Sequence, residues 1–321
     1  MFAFVATRLL QAIPVLLVVG LISFALFAYV GDPVSIILGQ DHTEAQAKAM
    51  IHQLGLDQPF FVQFARYLWA AMRGEFGISY RLAQPVSLLI KERLPATLEL
   101  ALTATVLSIA IGVPMGVYTG INRTTVLSRL FMMFSLAGVS LPTFLLGILL
   151  ILVFSVWLGW LPSFGRGDVV PLGAWSTGLL TRGGLLALML PCVTLGLFQM
   201  ALILRVVRAE MLQVLASDHI RFARACGLRP ADINFDHALR NTLVPVITII
   251  GLQFGNVFAF SIIVETVFQW PGLGLLVIQA IQFADVPLLA GYLVMVALTF
   301  ALINLAVDIA YAAIDPRVRA T

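Results

Sequence analysis

Long apolar stretches alternate with shorter polar ones along the whole chain. Five of the apolar stretches have about the ~20 residues that a membrane-spanning helix requires; they are residues 9–30, 97–120, 183–204, 241–264 and 286–307. A sixth stretch, 130–161, is too long for one straight span, and Pro142 within it predicts a kinked helix. The pattern therefore predicts an all-α, polytopic membrane protein with six transmembrane helices.

The first apolar stretch has a second interpretation, namely a cleavable signal peptide. A signal peptide has an apolar core of only about 7–15 residues, followed by a cleavage site of small residues. Because the stretch 9–30 is longer than such a core, an uncleaved first helix is favoured. Residues 1–30 are then an N-terminal transmembrane segment.

Residues 266–284 are also uncharged and could form a seventh span. However, Trp270-Pro271-Gly272 interrupts them, and the remaining ~10 residues suit a re-entrant or interfacial helix better. With six spans, most of the arginines fall on the same side of the membrane. By the positive-inside rule this side is the cytoplasm. The arginines concerned are Arg8, Arg123, Arg129, those of 205–240, Arg317 and Arg319. Both termini are therefore expected in the cytoplasm, with 316–321 as a tail.

Residues 31–95 differ from the spans because they are polar, carry charges of both signs and contain several turn signals. Within them, 44–54 and 59–72 have helical patterns. The second pattern places four apolar side chains on one face; they are Phe60, Phe64, Tyr67 and Leu68. We expect a small folded cap outside the bilayer, between the first two spans.

Composition supports a membrane protein and argues against several other classes. The chain is 60% hydrophobic and 11% charged, with a mean hydropathy of +1.01, whereas soluble domains carry about 25% charged residues. Its lysines, Lys48 and Lys91, do not follow a glycine, so no Walker-type nucleotide site is expected. Cys192 and Cys226 are far apart and the histidines lack ligand spacing, so no disulfide, metal site or catalytic site is expected either.

The most distinctive polar stretch is 216–245, which lies between two long apolar runs. Ser217 or Asp218 can cap a helix of about two turns that ends near Cys226, because Gly227 provides a stop. A helix this short is not stable alone, and its surface is suited to packing against another protein. A solvated loop with one helical turn is the alternative.

The same stretch resembles the coupling-loop signature of the permease subunits of ABC importers. The similar residues run from Arg221 to Leu228 and from His237 to Pro245. Further segments resemble the branch of this family that transports dipeptides, oligopeptides, glutathione and nickel. These segments are 31–33, 54–59, 94–100, Glu265, 270–274, 304–308 and 315–319. The similarity therefore covers the whole chain. Two departures are usual for this branch, namely Arg221-Phe222-Ala223 in place of the general Glu-Ala-Ala and His237-Ala238-Leu239-Arg240 in place of Ile-x-Leu-Pro. A third is Cys226, where the branch usually has lysine.

The resemblance implies the transmembrane domain of a type I ABC importer in the bacterial inner membrane. Its permease core would be 96–315, with a cytoplasmic coupling loop at 205–244. The short helix would fit a groove on an ATP-hydrolysing subunit, so ATP and Mg²⁺ would be bound by partners and no cofactor by this chain. The implied coupling residues are Asp218, Ile220, Arg221, Phe222, Ala223, Arg224, Ala225, Gly227 and Leu228.

The implied assembly contains a sister permease in a heterodimer, two ATP-binding subunits and an extracytoplasmic substrate-binding protein that meets the cap. Membrane lipid surrounds the spans, and no nucleic-acid partner is expected. Di- or oligopeptides are the implied cargo, and glutathione or a nickel chelate is the alternative.

Charged residues inside membrane spans are candidates for function. Glu99, Glu265 and Asp308 qualify, and Pro142 and Asn304 join them as candidates for gating or packing. For Glu99 and Glu265, which lie near predicted span ends, solvation at the interface is the alternative. Asp308 and Asn304 are one helical turn apart and are expected to fix helix packing.

Two other functional classes fit the residues less well. A secondary transporter driven by an ion gradient would show paired carboxylates or a basic residue within the membrane, and often an internal repeat; neither is evident in the sequence. A membrane-bound enzyme would need a catalytic or metal-binding constellation. A permease subunit of an ATP-driven importer is therefore the favoured prediction.

Overall fold

The computed structural model describes residues 2–29, 43–54, 57–173 and 175–314. Most of them are helical. The helices are α1 (Phe2–Tyr29), α2 (Glu44–Leu54), α3 (Phe60–Met72), α4 (Val86–Ile121), α5 (Val126–Ser140), α6 (Thr143–Leu150), α7 (Arg182–Leu215), α8 (Asp218–Ala225), α9 (Pro230–Asp232), α10 (Arg240–Val267), α11 (Leu273–Gln282) and α12 (Val286–Ile314). Two π-helical segments, Ile151–Trp157 and Ile233–Leu239, follow α6 and α9, and one hairpin pairs β1 (Val170–Leu172) with β2 (Trp175–Thr177).

The predicted membrane spans are confirmed in number. Within the described residues, five helices are long and apolar enough to cross a bilayer, and a bent pair, α5 with α6, makes six if it counts as one span. The ten-residue helix α11 is too short to cross, as expected for the stretch after Trp270. The chain is thus an all-α, multi-pass membrane protein.

Two helices extend furthest beyond the predicted spans. Helix α4 begins at Val86 and not at residue 97, and α7 continues to Leu215 and not only to 204. The added part of α7 is amphipathic, with Val207 and Met211 buried on one face. A helix continues past the bilayer wherever such a face can be buried in protein.

The third span is broken at Pro142 and not merely kinked. Helices α5 and α6 meet at 108°, and Pro142 has an extended backbone with φ −58° and ψ 136°. Proline removes one helical hydrogen bond and disfavours helical geometry in the residue before it. The single kinked helix predicted for 130–161 is therefore wrong in this respect.

The chain divides into two compact units, which we describe separately. The first contains the described parts of 1–94 together with 272–302. In it, the Phe24 ring of α1 lies 5.3 Å from the Phe60 ring and 5.6 Å from the Phe64 ring of α3, measured between centroids. The apolar stripe predicted for this cap helix therefore packs on the first span.

Asp285, which precedes α12, anchors a loop of the same unit. Its carboxylate accepts hydrogen bonds from the Ser79 hydroxyl, from the Tyr80 N–H at 3.2 Å and from the Leu288 N–H at 3.4 Å. Burial raises the pKa of the Tyr80 phenol, and the negative charge of Asp285 adds to this shift. One buried carboxylate thus holds the loop after α3 and caps α12.

The second unit contains residues 95–271 together with the described part of 303–321. Helix α7 is its central element and packs against α5, α6 and α10. It also approaches α4 closely, because a Cβ atom added at Gly116 would lie 2.6 Å from Cβ of Val207. The functional residues predicted from the sequence all lie in this unit.

Candidate coupling surface and membrane cavity

Helix α8 matches the predicted coupling helix almost residue for residue. It runs from Asp218 to Ala225, and Gly227 ends it with a left-handed backbone, φ +77°, that glycine adopts without strain. Ser217 occupies the N-cap position, but its hydroxyl donates to the Val214 carbonyl and makes no capping bond. The predicted position of the cap is therefore right, whereas the capping interaction is not formed.

The inner face of α8 is part of the core of the second unit. Ile220 and Ala223 are buried together with Leu215 of α7 and with Ile233 and Ala238 of the π-helical segment before α10. Two of the predicted coupling residues, Ile220 and Ala223, are thus covered by this chain itself. They fix the short helix to the end of α7 and to the segment that precedes α10.

The outer face of α8 is exposed and combines apolar and basic groups. Phe222 is 71% exposed, and Arg221, Arg224 and Ala225 are also exposed. Arg221 and Asp218 are 3.2 Å apart, but both side chains are largely solvated, so this pair contributes little stability. An exposed phenylalanine flanked by arginines is suited to anchoring a partner protein.

A groove of about 580 Å³ runs beside this outer face. Three arginines, Arg123, Arg221 and Arg224, line it together with Leu228 and other residues. Gly227 and Cys226 are exposed at the end of α8. The surface therefore offers positive charge to an acidic partner around one apolar anchor.

Glu99 is buried, whereas the alternative prediction was that it is solvated at the membrane interface. It is 4% exposed and forms an ion pair with Arg166 from the loop before β1. The Arg166 guanidinium also donates to the Ser176 carbonyl at 2.7 Å, and the Gly178 N–H donates to Glu99 at 3.1 Å. We call Glu99, Arg166, Ser176 and Gly178 the ion-pair cluster. Arg166 was not identified from the sequence, because it lies in a Gly- and Pro-rich loop with no helical pattern.

Glu265 is buried as well, so interfacial solvation is wrong for both glutamates. Its carboxylate accepts a hydrogen bond from the Thr97 hydroxyl at 2.7 Å, and nearby the Trp270 indole donates to the Ala96 carbonyl at 3.0 Å. These bonds join the end of α10 to α4 within the second unit.

Asn304 is exposed and Asp308 half-buried on α12, so their predicted packing role stays a prediction.

Pro142 lies next to a cavity that sequence reasoning did not identify. The cavity has a volume of about 70 Å³ and lies among α6, α7 and α10. Its lining residues are Thr143, Leu195, Phe198, Gln199, Gln253, Asn256, Val257 and Phe260. Gln199 is 2% exposed, and neither its amide nitrogen nor its amide oxygen has a hydrogen-bond partner. We call this the amide cavity.

The described residues hold no group of three or more His, Cys, Asp or Glu side chains that could bind a metal ion. What the second unit offers chemically is recognition: a basic, partly apolar surface on α8, and neutral hydrogen-bonding groups in the amide cavity. Neither arrangement brings a nucleophile and a base together.

Comparison with known proteins identifies the family. Residues 112–320 match the family described as binding-protein-dependent transport system inner membrane component, and 1–101 match the N-terminal model of such membrane components. The chain is 38% identical to the di/tripeptide transport system permease protein DppB of Pseudomonas aeruginosa (strain UCBPP-PA14), over 99% of both chains. It is 39% identical to the glutathione transport system permease protein GsiC of Escherichia coli (strain K12), also over 99% of both chains.

A solved structure agrees in fold. The chain is similar to a chain of the MetNI methionine ABC transporter in inward-facing conformations, with a TM-score of 0.53 and 20% identity over 68% of this chain and 93% of that one. The sequence matches and the multi-pass helical architecture agree with one another. The chain therefore belongs to the family of binding-protein-dependent transport system inner membrane components, as a permease subunit of an ABC transporter in the inner membrane.

Proposed function

We propose that this chain is the permease subunit of an importer that uses ATP to move di- or oligopeptides into the cell. The observation that carries the proposal is the two-sided helix α8, with Ile220 and Ala223 buried in the core and Phe222 exposed between arginines. Such a helix can bind a partner and pass its movement to the long helices behind it.

The energy in this scheme comes from partner subunits. Two ATP-binding subunits bind ATP and Mg²⁺, and each binds one coupling helix. One subunit binds α8 of this chain, and the other binds the corresponding helix of a sister permease. ATP favours one arrangement of the ATPase pair, and this preference shifts the permease between two states by linked equilibria. The break at Pro142 is a point at which α5 and α6 can change their relative orientation.

The peptide cargo is supported by the relatives. One similar permease is named for di- and tripeptides and another for glutathione, and glutathione is itself a small peptide. An extracytoplasmic binding protein would deliver the cargo. Uptake by reconstituted complexes decides between these two cargoes, with labelled dipeptide in one reaction and labelled glutathione in a parallel one. If the complexes took up neither compound, the peptide proposal would be refuted.

Charge reversal on α8 tests the coupling role. We expect Arg221→Glu combined with Arg224→Glu to reduce co-purification of the ATPase subunits by at least about tenfold, because like charges placed opposite one another cost several kcal/mol. The chain should still insert into the membrane, because both side chains are exposed.

Arg182→Glu is the matched control, since Arg182 is an exposed arginine at the first residue of α7 and lies outside the groove. It should leave ATPase attachment unchanged. Full attachment of the ATPase subunits to the doubly substituted chain would contradict our assignment of α8.

A further inference from the structure

The amide cavity lies among helices of the second unit that are apolar enough to span a membrane. Gln199 lies in the apolar part of α7, six residues before Arg205, and Asn256 lies near the middle of α10; both helices are long enough to cross a bilayer. The third wall begins at Thr143, directly after the break at Pro142. Broken helices near the bilayer midplane are characteristic of transport sites, because they expose backbone groups to a cargo.

Gln199 is the strongest sign that the cavity has a ligand. A buried amide without partners loses its hydrogen bonds to water and gains none in return. Its oxygen and nitrogen are both unpaired in the described structure. A membrane helix without a polar task would carry an apolar residue at this position.

The start of α6 adds hydrogen-bond donors to the same cavity. The first N–H groups of a helix have no acceptor within the helix, and no side chain caps α6. Thr143, its first residue, lines the cavity. The positive end of a helix dipole favours carbonyl or carboxylate oxygens there.

The remaining walls define what kind of cargo fits. Gln253 and Asn256 are joined by a hydrogen bond of 3.1 Å, so the cavity holds three neutral amides. Phe198 and Phe260 lie beside them with ring centroids 6.4 Å apart. None of the described residues that line the cavity is charged.

We propose that the amide cavity is a cargo-binding site for the peptide main chain. Each amide side chain can donate and accept, as a peptide unit does, and the phenylalanine rings provide apolar walls that tolerate varied side chains. Recognition of main-chain groups does not depend on the peptide sequence. This inference rests on the peptide cargo proposed above.

The volume of the cavity implies that α6 and α10 must separate during transport. Its volume of about 70 Å³ exceeds the roughly 10–15 Å³ that one water molecule requires, but it is small for a dipeptide. We infer that water occupies it between transport events, and that the break at Pro142 lets α6 move away when cargo arrives.

The test replaces Gln199 with methionine, which keeps the length of the side chain but removes its hydrogen bonding. The complete complex, with its sister permease, ATPase subunits and binding protein, is reconstituted in proteoliposomes and supplied with radiolabelled trialanine. We expect Gln199→Met to reduce uptake per assembled complex about five- to tenfold, as the loss of one or two hydrogen bonds predicts.

Thr105→Val is the matched control. The Thr105 hydroxyl is buried in the same unit and also lacks a partner, but it does not line the cavity. Removing it should leave trialanine uptake within about twofold of the wild type. An equal fall in both variants would overturn the proposal, because the effect would then come from general packing.

Two further outcomes would also overturn it. Wild-type uptake by Gln199→Met would mean that the amide does not contact cargo. Failure of Gln199→Met to assemble would mean that the sister permease fills the cavity. Failure of the peptide proposal itself has a different signature, since the wild-type complex would then not transport trialanine at all.

Discussion

The ion-pair cluster and the amide cavity are both buried polar regions of the second unit, but they differ in how their polar groups are paired. Glu99 accepts from Arg166 and from the Gly178 N–H, so its carboxylate has two donors. In the cavity, Gln199 has none. In the ion-pair cluster both charged groups are paired and only the Nε of Arg166 lacks a partner, whereas in the cavity both polar atoms of the Gln199 side chain lack one.

This difference separates architecture from function. A buried charge is tolerated only when it is paired and hydrogen-bonded, and the ion-pair cluster meets this requirement by joining the loop before β1 to α4. An unpaired buried amide weakens the fold, so its presence calls for a role outside folding. We therefore expect changes in the cluster to affect stability, and changes in the cavity to affect transport.

The largest effect should come from breaking the ion pair. Arg166→Met leaves the Glu99 carboxylate buried without its main partner, and removing one member of a buried pair costs about 3–5 kcal/mol. We expect the free energy of unfolding of the detergent-solubilised chain to fall by this amount, as measured by denaturant titration.

Arg182→Met makes the same substitution at an exposed arginine of the same unit and should change stability by less than about 0.5 kcal/mol. The double variant Glu99→Leu with Arg166→Met should be more stable than Arg166→Met alone, because it leaves no unpaired charge. If Arg166→Met were as stable as the wild type, the cluster would have no structural role.

A smaller effect should follow from Gly184→Ala. A Cβ atom at Gly184 would lie 2.3 Å from the backbone oxygen of Gly178, and the Gly178 N–H is one of the donors to Glu99. The loop must therefore shift, and overpacking of this kind costs about 1–3 kcal/mol. Thermal unfolding monitored by tryptophan fluorescence measures the loss.

Gly138→Ala serves as the control for this change. A Cβ atom at Gly138 would be 3.4 Å from the nearest side-chain atom of Leu197, which is an ordinary contact, and alanine favours the helical backbone of α5. We expect its melting temperature to equal or exceed that of the wild type. If the melting temperature fell equally in both variants, the close contact between Gly184 and the Gly178 backbone would not be the cause.

The sequence was sufficient for features that depend on local pattern. The spans follow from apolar length, and α8 follows from its start and stop residues, with Gly227 at the predicted end. The continuation of α7 was also readable, since Val207, Met211 and Leu215 recur at helical spacing. Only its apolar part, 183–204, was predicted, because that prediction rested on apolar length.

Features that depend on distant residues were beyond local pattern. Glu99 and Arg166 are separated by 67 positions, and nothing in the loop around Arg166 indicates its partner. Gln199 is visible as a polar residue in an apolar span, but its lack of a partner depends on how α6, α7 and α10 meet. The position of helix α8 could thus be predicted, and the cavity could not.

The smallest predicted effect has the opposite sign and bears most directly on the comparison. Gln199→Met removes a buried amide that has no partner and replaces it with an apolar side chain of similar size. The unpaired amide costs roughly 1–3 kcal/mol, so we expect the free energy of unfolding to rise by about 1 kcal/mol in the isolated chain, as measured by denaturant titration.

Thr105→Val should raise stability by a similar or smaller amount, because it also removes a buried hydroxyl without a partner. The two variants would then agree in stability and differ in peptide uptake, since only Gln199 lines the cavity. A destabilised Gln199→Met chain would instead place the amide among the structural groups. In that case the cavity, like the ion-pair cluster, would stabilise the fold, and the unpaired amide of Gln199 would no longer indicate a cargo-binding site.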